Sequence, residues 1–152
     1  MKTLICRADG NASTGLGHLY RMFALYEMYK DSFDVHFITR EDSKLKVIPE
    51  DYETHLIPNT IELEDEAEWL SHHFNAKEDI IIADGYQFTG DYQKRLVELG
   101  FYLMYVDDLV SEQLHANIIV NHSQKLNKDL FIYSYLIIYL FIYTNDPEVN
   151  AS

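Results

Sequence analysis

The chain has only one cysteine, Cys6, among its 152 residues. A single cysteine excludes an internal disulfide and a cysteine-based zinc site. Because Cys6 lies inside an apolar run, we expect it to be a small buried hydrophobic residue. The amino terminus also lacks the apolar region of a signal peptide, so the sequence favours a protein of the reducing cytoplasm.

Basic residues are also scarce. Against 25 Asp and Glu residues there are 12 Lys and Arg residues, which gives a formal net charge of −13 at pH 7. Nucleic acids and anionic lipid surfaces are bound largely through Lys and Arg residues that neutralise phosphate charges. The charge balance therefore argues against a nucleic-acid partner and against a membrane-surface partner.

A long apolar run is missing as well. The most apolar stretch, from Leu130 to Tyr143, reads LFIYSYLIIYLFIY and has 14 uncharged residues. A membrane-spanning helix needs about 20 residues. We therefore expect no transmembrane segment.

The chain does contain enough apolar material for one hydrophobic core. Apolar residues make up 47% of the sequence and aromatic residues 14%, which excludes a disordered or low-complexity chain. A length of 152 residues is too short for two ordinary domains. We expect one folded domain.

Short apolar runs bounded by turn residues predict β-strands. The runs of this kind are Thr3 to Ala8, Val35 to Thr39, Ile80 to Ala83, Tyr102 to Val106 and Ile118 to Val120. Apolar residues at helical spacing predict helices over Leu19 to Tyr26, Leu63 to Phe74 and Asp91 to Leu99. Gly100 is the expected carboxyl-terminal cap of the last of these helices.

The alternation of strands and helices predicts an α/β fold. A strand as apolar as Ile80 to Ala83 has no solvent-facing side, which indicates a doubly wound, mostly parallel, Rossmann-like sheet covered on both faces. Ligands bind such sheets at the carboxyl ends of the strands. The residues that follow the predicted strands are Asp9 to Gly17, Arg40, Asp84 to Tyr86, Asp107 with Asp108, and Asn121 with His122.

Two polar segments outside these strand ends are expected to be solvated. The acidic stretch from Glu62 to Glu68 is typical of the exposed face of a helix. His72 and His73 are adjacent and point to different helix faces, so they are interpreted as surface residues.

A polar loop with two glycines joins the first predicted strand to the first predicted helix. Gly15 and Gly17 permit close backbone approach, and the start of the helix offers unpaired N–H groups to an anionic ligand. Tyr20 stands where a dinucleotide fingerprint needs its third glycine, and no Walker lysine follows. The loop therefore predicts a ligand site, and we expect no NAD or ATP cofactor.

His18 lies at or near the first turn of that helix. The helix dipole there favours the neutral imidazole that a general base requires, and Arg21 shares its helix face. From spacing alone, His18 is either a general base or a residue that caps and packs. Asp84, which follows the most apolar strand, is expected to orient a base, bind a hydroxyl or cap the next loop.

These residues occur in motifs that resemble a known enzyme family. The motifs are Arg7-Ala8-Asp9-Gly10-Asn11, Gly15-Leu16-Gly17-His18 with Arg21, Ile82-Ala83-Asp84-Gly85-Tyr86, Val106-Asp107-Asp108 and Asn121. In this order they resemble the amino-terminal half of the UDP-2,4-diacetamido-2,4,6-trideoxy-β-L-altropyranose hydrolases of bacterial pseudaminic acid biosynthesis. That family is similar to the two-domain glycosyltransferases of the GT-B type.

The resemblance implies a reaction and a set of site residues. Water attacks the anomeric carbon of the UDP-sugar, UDP leaves, and His18 polarises or deprotonates the water. Tyr86 is implied to lie beside the sugar. The remaining substrate-binding residues implied are Asp9, Gly15, Gly17, Arg21, Asp84 and Asn121. The resemblance requires no metal and no cofactor.

The resemblance covers residues 1–123, which we interpret as the amino-terminal, Rossmann-like domain of a GT-B architecture. Residues 124–152 form an atypical apolar tail, interpreted as the product of a truncation or a frameshift. The UDP-binding half of the family would then belong to a separate carboxyl-terminal domain. A GT-B glycosyltransferase domain and an inactive remnant or binding module stay open as alternatives.

Overall fold

The computed structural model of the chain describes residues 1–107, 112–121 and 136–139. In this part of the chain one parallel sheet has seven strands in the order β3-β2-β1-β4-β5-β6-β7. The strands are β1 (Thr3–Ala8), β2 (Asp34–Arg40), β3 (Thr54–Ile57), β4 (Ile80–Asp84), β5 (Tyr102–Asp107), β6 (Ile118–Asn121) and β7 (Leu136–Tyr139). Each of the five predicted strands is confirmed.

In the described ranges, three α-helices lie between strands of the sheet. They are α1 (Gly17–Tyr29), α2 (Glu66–His73) and α3 (Gly90–Leu99), and short 3-10 turns cover Leu45–Val47 and Leu63–Asp65. Gly100 caps α3 with a left-handed φ of 113°, as predicted. Within the described residues, no helix combines the length and the apolar character that a membrane crossing requires.

The sheet is covered on both faces, which confirms the doubly wound, Rossmann-like α/β prediction. On one face Leu19, Met22 and Phe23 of α1 pack against a core that includes Cys6. On the other face α2 and α3 pack against a second core. Cys6 is fully buried, and burial raises the pKa of its thiol to about 12. The thiol is therefore protonated at neutral pH, as expected of a small core residue.

Two strands were not among those predicted. Among the described strands, the four-residue β3 pairs with β2 alone, and it has the polar residues Thr54 and His55 in its first half, so it lacks the apolar signal of a central strand. At the opposite edge the backbone of β7 pairs in parallel with β6, from Ile118 beside Leu136 to Asn121 beside Tyr139. The rest of the apolar tail lies outside the described residues, and its origin stays a prediction.

Candidate functional site

The carboxyl ends of the central strands meet at one edge of the sheet. Ala8 of β1 is level with Asp84 of β4, which is level with Val106 of β5 and, through it, with Val120 of β6. The polar residues that follow these positions are therefore brought to the same edge. This is the edge at which parallel α/β sheets bind ligands.

His18 is the second residue of α1 and is held against the end of β4. Its Nδ1 atom lies 2.8 Å from Oδ1 of Asp84, and the imidazole is almost completely buried. An ionised carboxylate can only accept a hydrogen bond, so Nδ1 carries a proton, and in the neutral imidazole the lone pair is then on Nε2. The contact with Asp84 thus leaves Nε2 as the nitrogen available to a general base.

Arg21 holds the same carboxylate from the next turn of α1. Its Nε donates to Oδ2 of Asp84 at 2.5 Å and its Nη2 donates to Oδ1 at 2.8 Å, which makes a bidentate ion pair. Burial opposes ionisation of Asp84, but the hydrogen bonds from Arg21 and His18 outweigh it and lower the pKa of Asp84 below its usual value. Asp84 therefore remains ionised at neutral pH and can accept the hydrogen bond from His18 Nδ1.

Tyr86 covers His18 from the turn that follows β4. The two rings meet edge to face, with their centroids 4.8 Å apart, and 56% of the Tyr86 surface is exposed. An exposed aromatic ring beside a buried imidazole is placed to contact a ligand that reaches the imidazole. The structure therefore brings together His18, Arg21, Asp84 and Tyr86, although they come from two distant segments.

Asn11 organises the loop between β1 and α1. Its side-chain Oδ1 accepts hydrogen bonds from the backbone N–H groups of Ser13 and Thr14 at 2.9 and 3.0 Å. The N–H of Gly15 donates to the Asn11 carbonyl at 2.9 Å, and Gly15 has a φ of 76°, a conformation that favours glycine. Gly17 follows as the first residue of α1. Both glycines thus lie in the loop that leads to His18.

Asp9 lies at the same edge, within a buried ion-pair network. Arg7 donates to both of its oxygens, at 2.6 and 2.8 Å, and the Arg40 backbone N–H and the Thr39 hydroxyl also donate to Oδ1. Gln87, from the turn that carries Tyr86, donates to Oδ2 at 3.0 Å. Asp9 therefore ties the turn after β4 to the end of β1.

Glu66 corrects the expectation that the acidic stretch from Glu62 to Glu68 is solvated. Its side chain is completely buried and accepts from Arg7 at 2.7 and 3.0 Å. Arg40 and the Tyr92 hydroxyl donate to the same carboxylate at 3.0 and 2.6 Å. Sequence spacing hid this role because the partner Arg7 is 59 residues away. The available signal was an arginine inside the apolar strand β1, which needs a buried counter-charge.

Asn121 lies at the same sheet edge but outside the His18 cluster. It ends β6, is completely buried, and is level with Asp107 of β5. Two strand spacings separate β6 from β4, so the backbone of Asn121 lies about 10 Å from the end of β4. A role for Asn121 toward a ligand stays a prediction. His72 and His73 are exposed, as expected.

Acid should weaken the fold through Asp9. Burial would raise the pKa of Asp9, but Arg7, the Arg40 N–H and the Thr39 hydroxyl together lower it from 3.8 to about 2. A lowered carboxyl pKa stabilises the folded state above the unfolded-state pKa, and this stabilisation is lost as the pH falls through the folded value. We expect a loss of about 2 kcal/mol in the free energy of unfolding between about pH 4 and about pH 2.

Urea denaturation measured from pH 6 downward tests this expectation, with Asp9→Asn as the matched variant. The variant should show a flatter dependence on pH in this window because it has no carboxyl to protonate. Equal slopes for the two proteins would show that Asp9 does not carry the acid sensitivity.

Comparison of the chain with models of known protein families gave no match, and comparison with curated proteins gave none either. An imidazole hydrogen-bonded to a carboxylate, a guanidinium on that carboxylate and an exposed tyrosine make an arrangement suited to proton transfer.

Proposed function

We propose that the chain is the water-activating, amino-terminal part of a UDP-sugar hydrolase that acts on UDP-2,4-diacetamido-2,4,6-trideoxy-β-L-altropyranose. The observation that carries the proposal is the contact of 2.8 Å between His18 Nδ1 and Asp84 at the carboxyl edge of the sheet. The sugar itself is inferred from the resemblance of the sequence motifs described above.

In the proposed reaction Nε2 of His18 accepts a proton from water as the water oxygen attacks the anomeric carbon. The bond between that carbon and the diphosphate oxygen breaks, and UDP leaves with the bonding electron pair. Asp84 stabilises the imidazolium formed on His18, as a carboxylate does in other histidine-based sites. Arg21 keeps Asp84 in place and ionised throughout.

Two further features support a sugar ligand. The exposed ring of Tyr86 offers an apolar face and a hydroxyl next to the base. The loop built on Asn11 leads directly into the start of α1, where backbone N–H groups stabilise a developing negative charge. A carboxyl-terminal domain, as the GT-B resemblance implies, would hold the uridine and most of the diphosphate.

An assay of UDP release in water enriched in oxygen-18 tests the proposal. The chain is combined with a UDP-binding domain, and no sugar acceptor is present. We expect UDP to be released without the label, because attack at the anomeric carbon leaves the phosphate oxygens untouched. Label in UDP would place the attack at phosphorus and contradict the mechanism.

Two other outcomes favour the alternatives. Consumption of the UDP-sugar only when an acceptor sugar is added would identify a glycosyltransferase. An intact UDP-sugar, together with ligand binding that His18→Gln leaves unchanged, would identify a binding module.

The isolated chain should bind UDP only weakly. In the proposed architecture the nucleotide contacts belong to the other domain, and a net charge of −13 repels a diphosphate. We expect a dissociation constant no tighter than about 1 mM, or about −4 kcal/mol. Isothermal titration calorimetry measures it directly. A micromolar value would mean that the loop before α1 is itself the nucleotide site.

A further inference from the structure

A second cluster of polar side chains lies on β2 and β3, away from the His18 site. His36 of β2 and His55 of β3 meet side by side, with His36 Nδ1 at 2.8 Å from His55 Nε2. Glu53, just before β3, places its Oε1 at 3.7 Å from the same His55 nitrogen. These three potential ligand atoms all lie within 4.8 Å of one another.

The hydrogen bonds around His36 fix which of its nitrogens is available. Its Nε2 lies 3.2 Å from Oδ2 of Asp34, and a carboxylate only accepts, so Nε2 carries the proton. The lone pair of His36 is therefore on Nδ1, the atom that faces His55. A histidine whose outer nitrogen donates to a carboxylate is the usual arrangement of a metal-binding imidazole.

The imidazole rings of His36 and His55 pack against an aromatic side chain and border an open cleft. Phe74 packs edge to face on His36 and on His55, with ring centroids 5.5 Å apart in each case. A cleft of about 480 Å³ is lined by these residues and by His73. The Nδ1 of His73 donates to the Trp69 carbonyl at 2.7 Å, so the lone pair of His73 is on Nε2.

We propose that His36, His55 and Glu53 form a binding site for a divalent transition-metal ion, Zn²⁺ in particular, that links the edge strand β3 to β2. Nitrogen and carboxylate ligands at a tetrahedral Zn²⁺ lie about 3.4 Å apart. The distances of 2.8 and 3.7 Å bracket this value, and all three ligand atoms lie within 4.8 Å of one another. His55 binds through Nε2 once its proton has moved to Nδ1, which one-third exposure of the side chain permits.

The donor set selects among cations. Two imidazoles and one carboxylate, with no thiolate in the cluster, suit Zn²⁺ and its neighbours better than Mg²⁺ or Ca²⁺, which prefer oxygen ligands. His73 is close enough to line the same cleft and is a candidate for a fourth ligand, the alternative being water. The proposed metal site is independent of the proposed hydrolase function. Its histidines lie on β2 and β3, whereas His18 and Asp84 lie on α1 and β4.

Titration of the full chain with Zn²⁺ tests the proposal. The protein carries no polyhistidine tag and is stripped of metal with a chelator before calorimetry. We expect one Zn²⁺ per chain, a raised thermal midpoint, and at least about a 10-fold loss of affinity in His55→Gln. The matched control is His115→Gln, which removes a histidine outside the cluster and should leave the affinity unchanged.

Nuclear magnetic resonance of the unmodified chain provides a readout that does not depend on any variant. Zn²⁺ should shift the imidazole signals of His36 and His55 and leave those of His18 and His115 in place. Wild-type affinity in a folded His55→Gln variant, unshifted His36 and His55 signals, or no binding of Zn²⁺ at millimolar concentration would each overturn the proposal.

Discussion

Replacing His18 with glutamine is expected to lower the rate of UDP-sugar hydrolysis by about 100-fold or more, the usual contribution of a general base. The variant is tested in a protein that combines this chain with a UDP-binding domain. A glutamine amide can still donate a hydrogen bond to Asp84, which lies 2.8 Å from the imidazole nitrogen. It cannot accept a proton from water, so turnover should fall while substrate binding changes little.

The measurement is the initial rate of UDP release at saturating substrate, with the Michaelis constant determined in parallel. His72→Gln is the control because His72 is exposed on α2 and should leave the rate unchanged. A His18→Gln enzyme with the wild-type rate would remove the proposed role of this residue. A rate lowered equally by both variants would point to a general effect of losing a histidine.

Replacing Arg7 with methionine is expected to lower the free energy of unfolding by about 3–5 kcal/mol, the cost of leaving a buried charge without its partner. Arg7 is completely buried and donates to both Asp9 and Glu66 at 2.6 to 3.0 Å. Its loss removes this guanidinium from two buried carboxylates, while Arg40 still donates to Glu66. Methionine preserves most of the side-chain volume, so the effect should arise from charge.

Urea denaturation at pH 7 measures this loss, with Arg95→Met as the matched control. Arg95 forms its ion pair with Glu68 at the surface, where such pairs contribute no more than about 1 kcal/mol. The contrast between the two variants separates burial from the simple loss of a positive charge. A loss below 1 kcal/mol in Arg7→Met would show that the network does not stabilise the fold.

The sequence predicted the architecture well because the signals for it are local. Periodicity along the chain located the central strands, such as Ile80–Asp84, and the start of α1 next to His18. Strand β3 is not predicted from the sequence because its four residues at a sheet edge carry too little apolar pattern. The prediction that the acidic stretch is solvated is wrong at Glu66, because the sequence alone does not show that the buried Arg7 contacts it.

In the candidate site, too, some features could be predicted from the sequence and others required the structure. Placing His18 and Asp84 at strand or helix ends required only the sequence, since the carboxyl edge of a parallel sheet follows from its topology. Their pairing across 66 residues, the tautomer of His18 and the contact with Tyr86 required the structure. The cluster of His36 and His55 was not predicted at all, because their spacing of 19 residues matches no metal-binding motif.

The amino-acid sequence by itself determined the α/β class, the positions of the central strands and the polar loop before His18, because these depend on periodicity and turn residues within short segments. Only the tertiary structure decided which charges are buried together. Parallel pairing of β1 with β4 and packing of α2 on one face of the sheet bring Arg7, Asp9 and Glu66 into one network and His18 onto Asp84. Such contacts depend on distances in space between residues far apart in the chain, and local pattern does not specify them.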